Sequence, residues 1–338
     1  MRTPNARNRP SPRGSAPDTG GGARKGTTRS LSRARAAAVV LAGGLLALSC
    51  TGGDDGTEDG RSPFTGESAE AGPVLAVKID NAPQARPHTG LGNADIVYAS
   101  QVEGGLSRLM AVYSGTLPEN AGPVRSARES DLQLLRTFGD PALAFSGARS
   151  GVLPLIEESP VQPVTPLDSV DAYFRADDRS APHNLFVRPE AALAAAPEAS
   201  DAADIGFRFG DAPEGGRETG SETVGFPSAS FTFTWSQERE EWLIAMDGDP
   251  AADSGGGQLG AATVVVQRVN ITDSQFEGTP FTETVGSGDA TVLRDGRAYD
   301  VEWSRDGEDD GTEFTDGDGE RVNFATGPVW VVLAPTSS

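Results

Sequence analysis

Ala121–Leu135 reads AGPVRSARESDLQLL, and its two arginines, Arg125 and Arg128, stand where a helix begins. Ser126 and Glu129 have the S-x-x-E spacing of a capping box, in which the hydroxyl accepts the N3 amide and the carboxylate accepts the cap amide. That register starts the helix at Ser126, with Arg125 just before the cap and Arg128 in the first turn. Free amides and the helix dipole make this end positive, so each exposed cation there costs about 0.3–1 kcal/mol. A docked anion reverses the sign, because amides and guanidinium forks then converge on it. The alternative is that both arginines face solvent or pair with carboxylates elsewhere in the chain.

Other residues could join such a site. Asp80 and Asn81 end an apolar run, where open sheets present ligand groups, although Asp80 serves equally well as a turn or cap residue. Arg86 in ARPHTGL and Arg108 in LSRLMAVYSG add two guanidinium groups. A period of two puts Leu106, Arg108, Met110 and Val112 on one face, where an unpaired charge is costly. Glu103 is the nearest partner for Arg108. Asp177, Asp178 and Arg179 precede His183 and Asn184 in a polar loop that could simply be solvated. No H-E-x-x-H, paired cysteine, G-x-S-x-G or Walker loop occurs, and two histidines exclude a His-rich zinc site. The DGDGE run at Asp316–Glu320 lacks the spaced terminal Glu of a Ca²⁺ loop and reads as a turn. The cofactor is unassigned, and a carboxylate-bound Mg²⁺ or Ca²⁺ stays open.

The elements that must position these residues follow from pattern. PVLAVKID is a buried strand, and ADIVYASQV and LSRLMAVYSG flank Gly104-Gly105 as a hairpin. Leu132, Leu135 and Phe138 recur at helical spacing before Gly139. PALAFSG is a further strand, SGVLPLIEES an interrupted helix or turn, and RPEAALAAAPE a helix opened by Pro189. GDAPEGGRETGSETVG is a loop. From Phe226 onward the pattern is antiparallel β, with DGDPAADSGGGQLG as a long loop and Asp295-Gly296 as a hairpin turn.

Bulk properties limit the partners. The chain has 338 residues and a formal net charge of −21. Residues 73–150 balance seven basic against seven acidic side chains, whereas 191–338 carry eight basic and twenty-eight acidic. Nucleic acid is excluded as a partner, since phosphate backbones need a basic face. Ala36–Leu48 (AAAVVLAGGLLAL), preceded by Arg29, Arg33 and Arg35, is thirteen apolar residues long. That fits a signal-peptide core and falls short of the roughly 20 residues of a spanning helix. Cys50, the one cysteine, ends ALSC. This resembles a lipobox, apart from Ala47 where Leu is usual, and makes Cys50 the expected lipid attachment point. Residues 51–72, rich in Gly, Ser and acids, read as a flexible tether.

Three blocks, VKIDNAPQARPHTGLGNADIVYASQVEGGLSRLMAVY, GPVRSAR and DDRSAPHNLF, resemble in order the DUF3048 family of YerB-like bacterial lipoproteins. The resemblance runs from Pro73 to about Pro335 and carries no assigned activity. His183 fits the family pattern, while His88 stands where Gln is expected and is a poor catalytic candidate. The combined expectation is an α+β body: a mixed-sheet N-terminal domain over 73–200, a linker at 201–222 and a β-rich C-terminal domain over 223–335. The protein would sit on the extracytoplasmic face of the cell membrane, anchored through Cys50. There it would bind an anionic envelope ligand or a protein partner through an arginine-rich cleft. The alternatives are an enzyme acting on a phosphorylated lipid or wall polymer, and a protein scaffold.

Overall fold

The computed structural model describes residues 60–69 and 71–336. The expected export signal, Cys50 and the first part of the tether lie outside the described residues. In chain order the first half comprises β1 (Leu75–Asp80), β2 (Ile96–Gln101), β3 (Ser107–Tyr113), α1 (Glu129–Leu135), β4 (Ala142–Ala144), α2 (Val152–Glu158), β5 (Gln162–Val164), β6 (Tyr173–Arg175), β7 (Leu185–Val187) and α3 (Pro189–Ala195). The second half is all strand. It comprises β8 (Arg217–Glu218), β9 (Ser221–Phe226), β10 (Ala229–Ser236), β11 (Glu241–Met246), β12 (Asp249–Pro250), β13 (Gly260–Ala261), β14 (Thr263–Val269), β15 (Ile271–Asp273), β16 (Pro280–Thr282), β17 (Gly286–Arg294), β18 (Arg297–Arg305), β19 (Glu313–Thr315) and β20 (Val329–Pro335). Three seven-residue helices against this many strands make the body β-rich rather than evenly α+β.

Eleven strands form one mixed sheet in the order β19-β18-β17-β14-β20-β2-β3-β1-β4-β5, with β8 beside β18. The link between the halves is β20, which runs parallel to β14 on one edge and to β2 on the other. Strand alternation divides the core between the two faces. Leu75, Val77 and Ile79 of β1 meet α3 and the smaller sheet built from β12, β11, β10 and β9; Trp330 of β20 packs there against Phe231 and Phe233. On the opposite face Ala76, Ile96 and Met110 meet Leu135, Val152 and Ile156 of α1 and α2.

Local chemistry explains the elements and the points at which the structure departs from expectation. All six residues of β1 are buried because both edges and both faces are covered. Gly104 and Gly105 turn the β2–β3 hairpin at φ +71° and +70°, and a Cβ on Gly105 would come within 2.6 Å of Pro227. Pro154 does not interrupt α2, since it lies in the first turn where its missing N–H has no helical partner. Residues 60–69, expected as tether, are folded instead: Phe64 is fully buried with its ring 5.4 Å from Phe138, which gives this Gly- and Ser-rich stretch an apolar anchor. Residues 201–222, expected as the linker, hold no helix or strand before β8 but are packed against the body. Ile205 and Phe207 are buried, β8 pairs with β18, and Ser221 opens β9.

Candidate functional site

Asp80, the last residue of β1, is the centre on which the candidates converge. Its N–H donates to the Pro123 carbonyl at 2.8 Å, and its own carbonyl accepts from His88 Nε2 at 2.9 Å. Its Oδ1 accepts the Ala82 N–H at 3.2 Å, the turn role foreseen for an Asp at this position. Its Oδ2 faces His183 Nδ1 at 2.8 Å and Arg125 Nε at 3.3 Å. Arg125 reaches this point because residues 123–125 run along β1 beyond the end of β4: Val124 bridges Ile79, and the Arg125 N–H donates to the Lys78 carbonyl. His183 arrives from the loop between β6 and β7.

The four arginines lie around this strand end but have different partners. Arg128 forks onto Glu103, Nε to Oε1 at 2.8 Å and Nη2 to Oε2 at 2.7 Å, and its Nη1 donates to the Ser126 and Ala127 carbonyls. Glu103 is therefore the partner of Arg128, not of Arg108. Burial alone would raise the Glu103 pKa, but the Arg128 hydrogen bonds outweigh it and hold the group below the usual carboxylate range. Arg86 ties Asn81 to the smaller sheet, with Nε on Asn81 Oδ1 at 3.1 Å and Nη2 on Asp247 Oδ2 at 2.8 Å. Its charge is spent on a carboxylate of the acidic half. Arg108, opposite Asp80 in the β1–β3 register, donates only to the Ser126 carbonyl at 3.3 Å and makes no ion pair among the described residues. Burial, then repulsion from Arg128, lowers its pKa to about 10. Arg125 Nε is buried beside Asp80 without a hydrogen bond.

The helix start also differs from the expected register. The cap residue of α1 is Arg128, whose N–H donates to Asp131 Oδ2 at 2.7 Å, so Ser126 and Glu129 form no capping box. Glu129 instead accepts hydrogen bonds from Ser274 and Gln275. Asp131 has a second role, since its Oδ1 accepts from Lys78 Nζ at 2.6 Å with both side chains buried. Burial lowers the Lys78 pKa, and Asp131 pulls it back up. This lysine, read from the sequence only as part of a strand, supports the cluster from beneath.

The remaining candidates are peripheral. Asn81 donates to Ser107 Oγ at 2.9 Å, and Arg179 stands over the Phe186 ring and donates to the Ala85 carbonyl at 2.9 Å. Asn184 is brought to no member of the cluster: it bonds Arg175 and the Ala176 carbonyl within its own hairpin. Glu103 also lines a cavity of about 580 Å³ between the β2–β3 turn and the β15–β16 hairpin. Among the described residues no three His, Cys, Asp or Glu side chains are grouped to hold a metal ion. Asp316 turns the chain by accepting the Asp318 and Glu320 amides.

His88 is a buried prop for the site. Its Nε2 donates to the Asp80 carbonyl, so the neutral ring carries that proton, and burial lowers its pKa to about 4. A depressed histidine binds fewer protons folded than unfolded, so its contribution to stability is lost as pH falls from about 6.5 toward 4, by roughly 3 kcal/mol in all. Between pH 7 and about 4.5, His88→Gln is expected to lose about 2–3 kcal/mol less stability than the wild type in urea unfolding. Equal losses would show that His88 does not titrate in this way.

With this geometry in place, comparison with known proteins gives a consistent result. The family described as "Protein of unknown function (DUF3048)" matches through its N-terminal domain at residues 60–203 and its C-terminal domain at 223–331. The Bacillus subtilis (strain 168) protein named "Putative lipoprotein YerB" is 26% identical over 295 residues, covering 81% of this chain and 86% of that protein. The crystal structure of YerB from Bacillus subtilis superposes with a TM-score of 0.73 at 23% identity, covering 82% of this chain and 97% of that one, and supports the fold. The chain belongs to the DUF3048 family.

Proposed function

We propose that this protein is exported, tethered to the extracytoplasmic face of the membrane through Cys50, and binds an anionic envelope ligand at the end of β1. Arg108 and Arg125 are the ligand contacts, with His183 at the rim. One observation supports this above the others: of the four arginines, these two leave most of their hydrogen-bonding capacity unused by the protein. Arg108 is largely buried with one long bond to a carbonyl, and a buried guanidinium without an anion is costly. Arg86 and Arg128, ion-paired with Asp247 and Glu103, hold the walls.

The test is calorimetric titration of the full chain, in detergent micelles, with inorganic pyrophosphate. Each charge-assisted hydrogen bond to the anion is worth roughly 1.5–3 kcal/mol, so Arg125→Ala is expected to weaken binding about 10- to 100-fold. Arg108→Met combined with Arg125→Ala should abolish the heat of binding. Identical isotherms for wild type and the double variant, or no heat from the wild type, would end this reading.

A further inference from the structure

We infer that Asp80 and His183 form a general-base dyad and that the site hydrolyses phosphodiesters, with Arg125 and Arg108 holding the phosphoryl oxygens. The inference rests on the anion-binding reading and adds a reaction to it.

The argument begins with how firmly Asp80 is held. Its backbone N–H, its carbonyl and its Oδ1 are each occupied, and its side chain is 6% exposed. Only Oδ2 is left, and it meets His183 Nδ1 at 2.8 Å. An ionised carboxylate can only accept, so Nδ1 carries the imidazole proton and the lone pair sits on Nε2. Nε2 makes no hydrogen bond among the described residues and is not one of the buried side-chain atoms lacking a partner, so it opens to solvent. A buried carboxylate on one imidazole nitrogen with the other nitrogen open is the arrangement that fixes a general base.

The cations stand on the same oxygen. Arg125 Nε lies 3.3 Å from Asp80 Oδ2 as an ion pair, so its guanidinium and the His183 ring stand beside the same carboxylate oxygen. The outer nitrogens of Arg125 make no hydrogen bond among the described residues, and Arg108 faces Asp80 across the strand pair. Guanidinium groups beside an open imidazole suit a phosphoryl group, whose charge builds up on its non-bridging oxygens as water attacks. In the step proposed, Nε2 takes a proton from water and the water oxygen forms a bond to phosphorus. The phosphorus–ester oxygen bond breaks, and the departing alkoxide takes a proton from solvent. The imidazolium then returns its proton to solvent. The products are an alcohol and a phosphomonoester, with no change of oxidation state.

His183 is the catalytic residue, because it touches the reacting water, and Asp80 is a positioning residue. The experiment uses the full chain in detergent micelles, with bis(p-nitrophenyl) phosphate as substrate and pyrophosphate binding as the control for an intact site. The wild type should release p-nitrophenolate, with kcat/KM rising along a single limb from low pH and then levelling, as one general base requires. His183→Gln should lower kcat by about 100-fold or more, with pyrophosphate still bound through the two arginines. Asp80→Asn should lower kcat similarly and move the limb on the pH profile, which a purely structural role for Asp80 would not do. If the wild type binds pyrophosphate but releases no p-nitrophenolate, or if His183→Gln turns over like wild type, the dyad is refuted and the binding site stands. If neither binding nor turnover is seen, both readings fail.

Discussion

Asp131→Ala lowers the stability of the folded protein by about 3–5 kcal/mol, because it leaves the Lys78 ammonium buried without its counter-ion. Lys78 is completely buried, and its one strong partner is Asp131 Oδ1 at 2.6 Å. Arg108 and Arg128 are the other charges acting on it, and both repel it. The same substitution removes the acceptor for the Arg128 N–H at the start of α1. Urea unfolding of the variant should therefore show a midpoint well below the wild type. The double variant Lys78→Met with Asp131→Asn should recover most of the loss, since it removes both buried charges while the amide oxygen still accepts the Arg128 N–H. A loss below about 1 kcal/mol for Asp131→Ala would mean that the lysine finds water or another acceptor.

Trp330→Ala is expected to cost a similar amount, about 3–5 kcal/mol, for a different reason. Trp330 projects from β20 and is 2% exposed, with Phe231 at 6.2 Å and Phe233 at 6.4 Å between ring centroids. Its indole fills the space between the large sheet and the smaller one. Truncation leaves a cavity that the paired strands on either side cannot close without shifting register. The smaller sheet also supplies Asp247, the partner of Arg86, so loosening it should free Arg86 as well as lower the urea midpoint. Trp330→Phe, which keeps most of the ring volume, should retain more than half of the lost stability; equal losses for the two variants would show that packing at this point is not the cause.

Much of the fold was legible because its signals are local. The β2–β3 hairpin follows from two β-prone runs around Gly104-Gly105, and both glycines take the left-handed conformation that made them informative. Pro189 opens α3 as its sequence requires. The start of α1 was misread by two to three residues because two acids compete for the cap. Glu129 fits a local box with Ser126, but only Asp131 can serve both the helix start and Lys78, which is 53 positions away. The same limit governs the arginines. Sequence proximity pairs Glu103 with Arg108, whereas the fold brings Arg128, 25 residues along, onto both of its oxygens. Position on β1 marked Asp80, and the convergence of His183 and Arg125 on its Oδ2 depends on a loop and an extended segment with no shared periodicity. The order of the large sheet was likewise invisible, since it sets β2 beside β20, with Ile96 opposite Val329.

Strand β20 is the keystone of that order, and it has a consequence for any attempt to divide the protein. With β20 present, β2 and β14 each have a hydrogen-bonded neighbour on the flank they turn toward each other. Severed at the junction between the family's two domains, the first fragment would carry a raw, apolar flank at Ile96–Ala99. The second would bear another along β20 itself, and such flanks recruit foreign chains. Separately expressed fragments should then clump alone and stay soluble when mixed, so the molecule behaves as two sequence blocks that are solvent-safe only in each other's company.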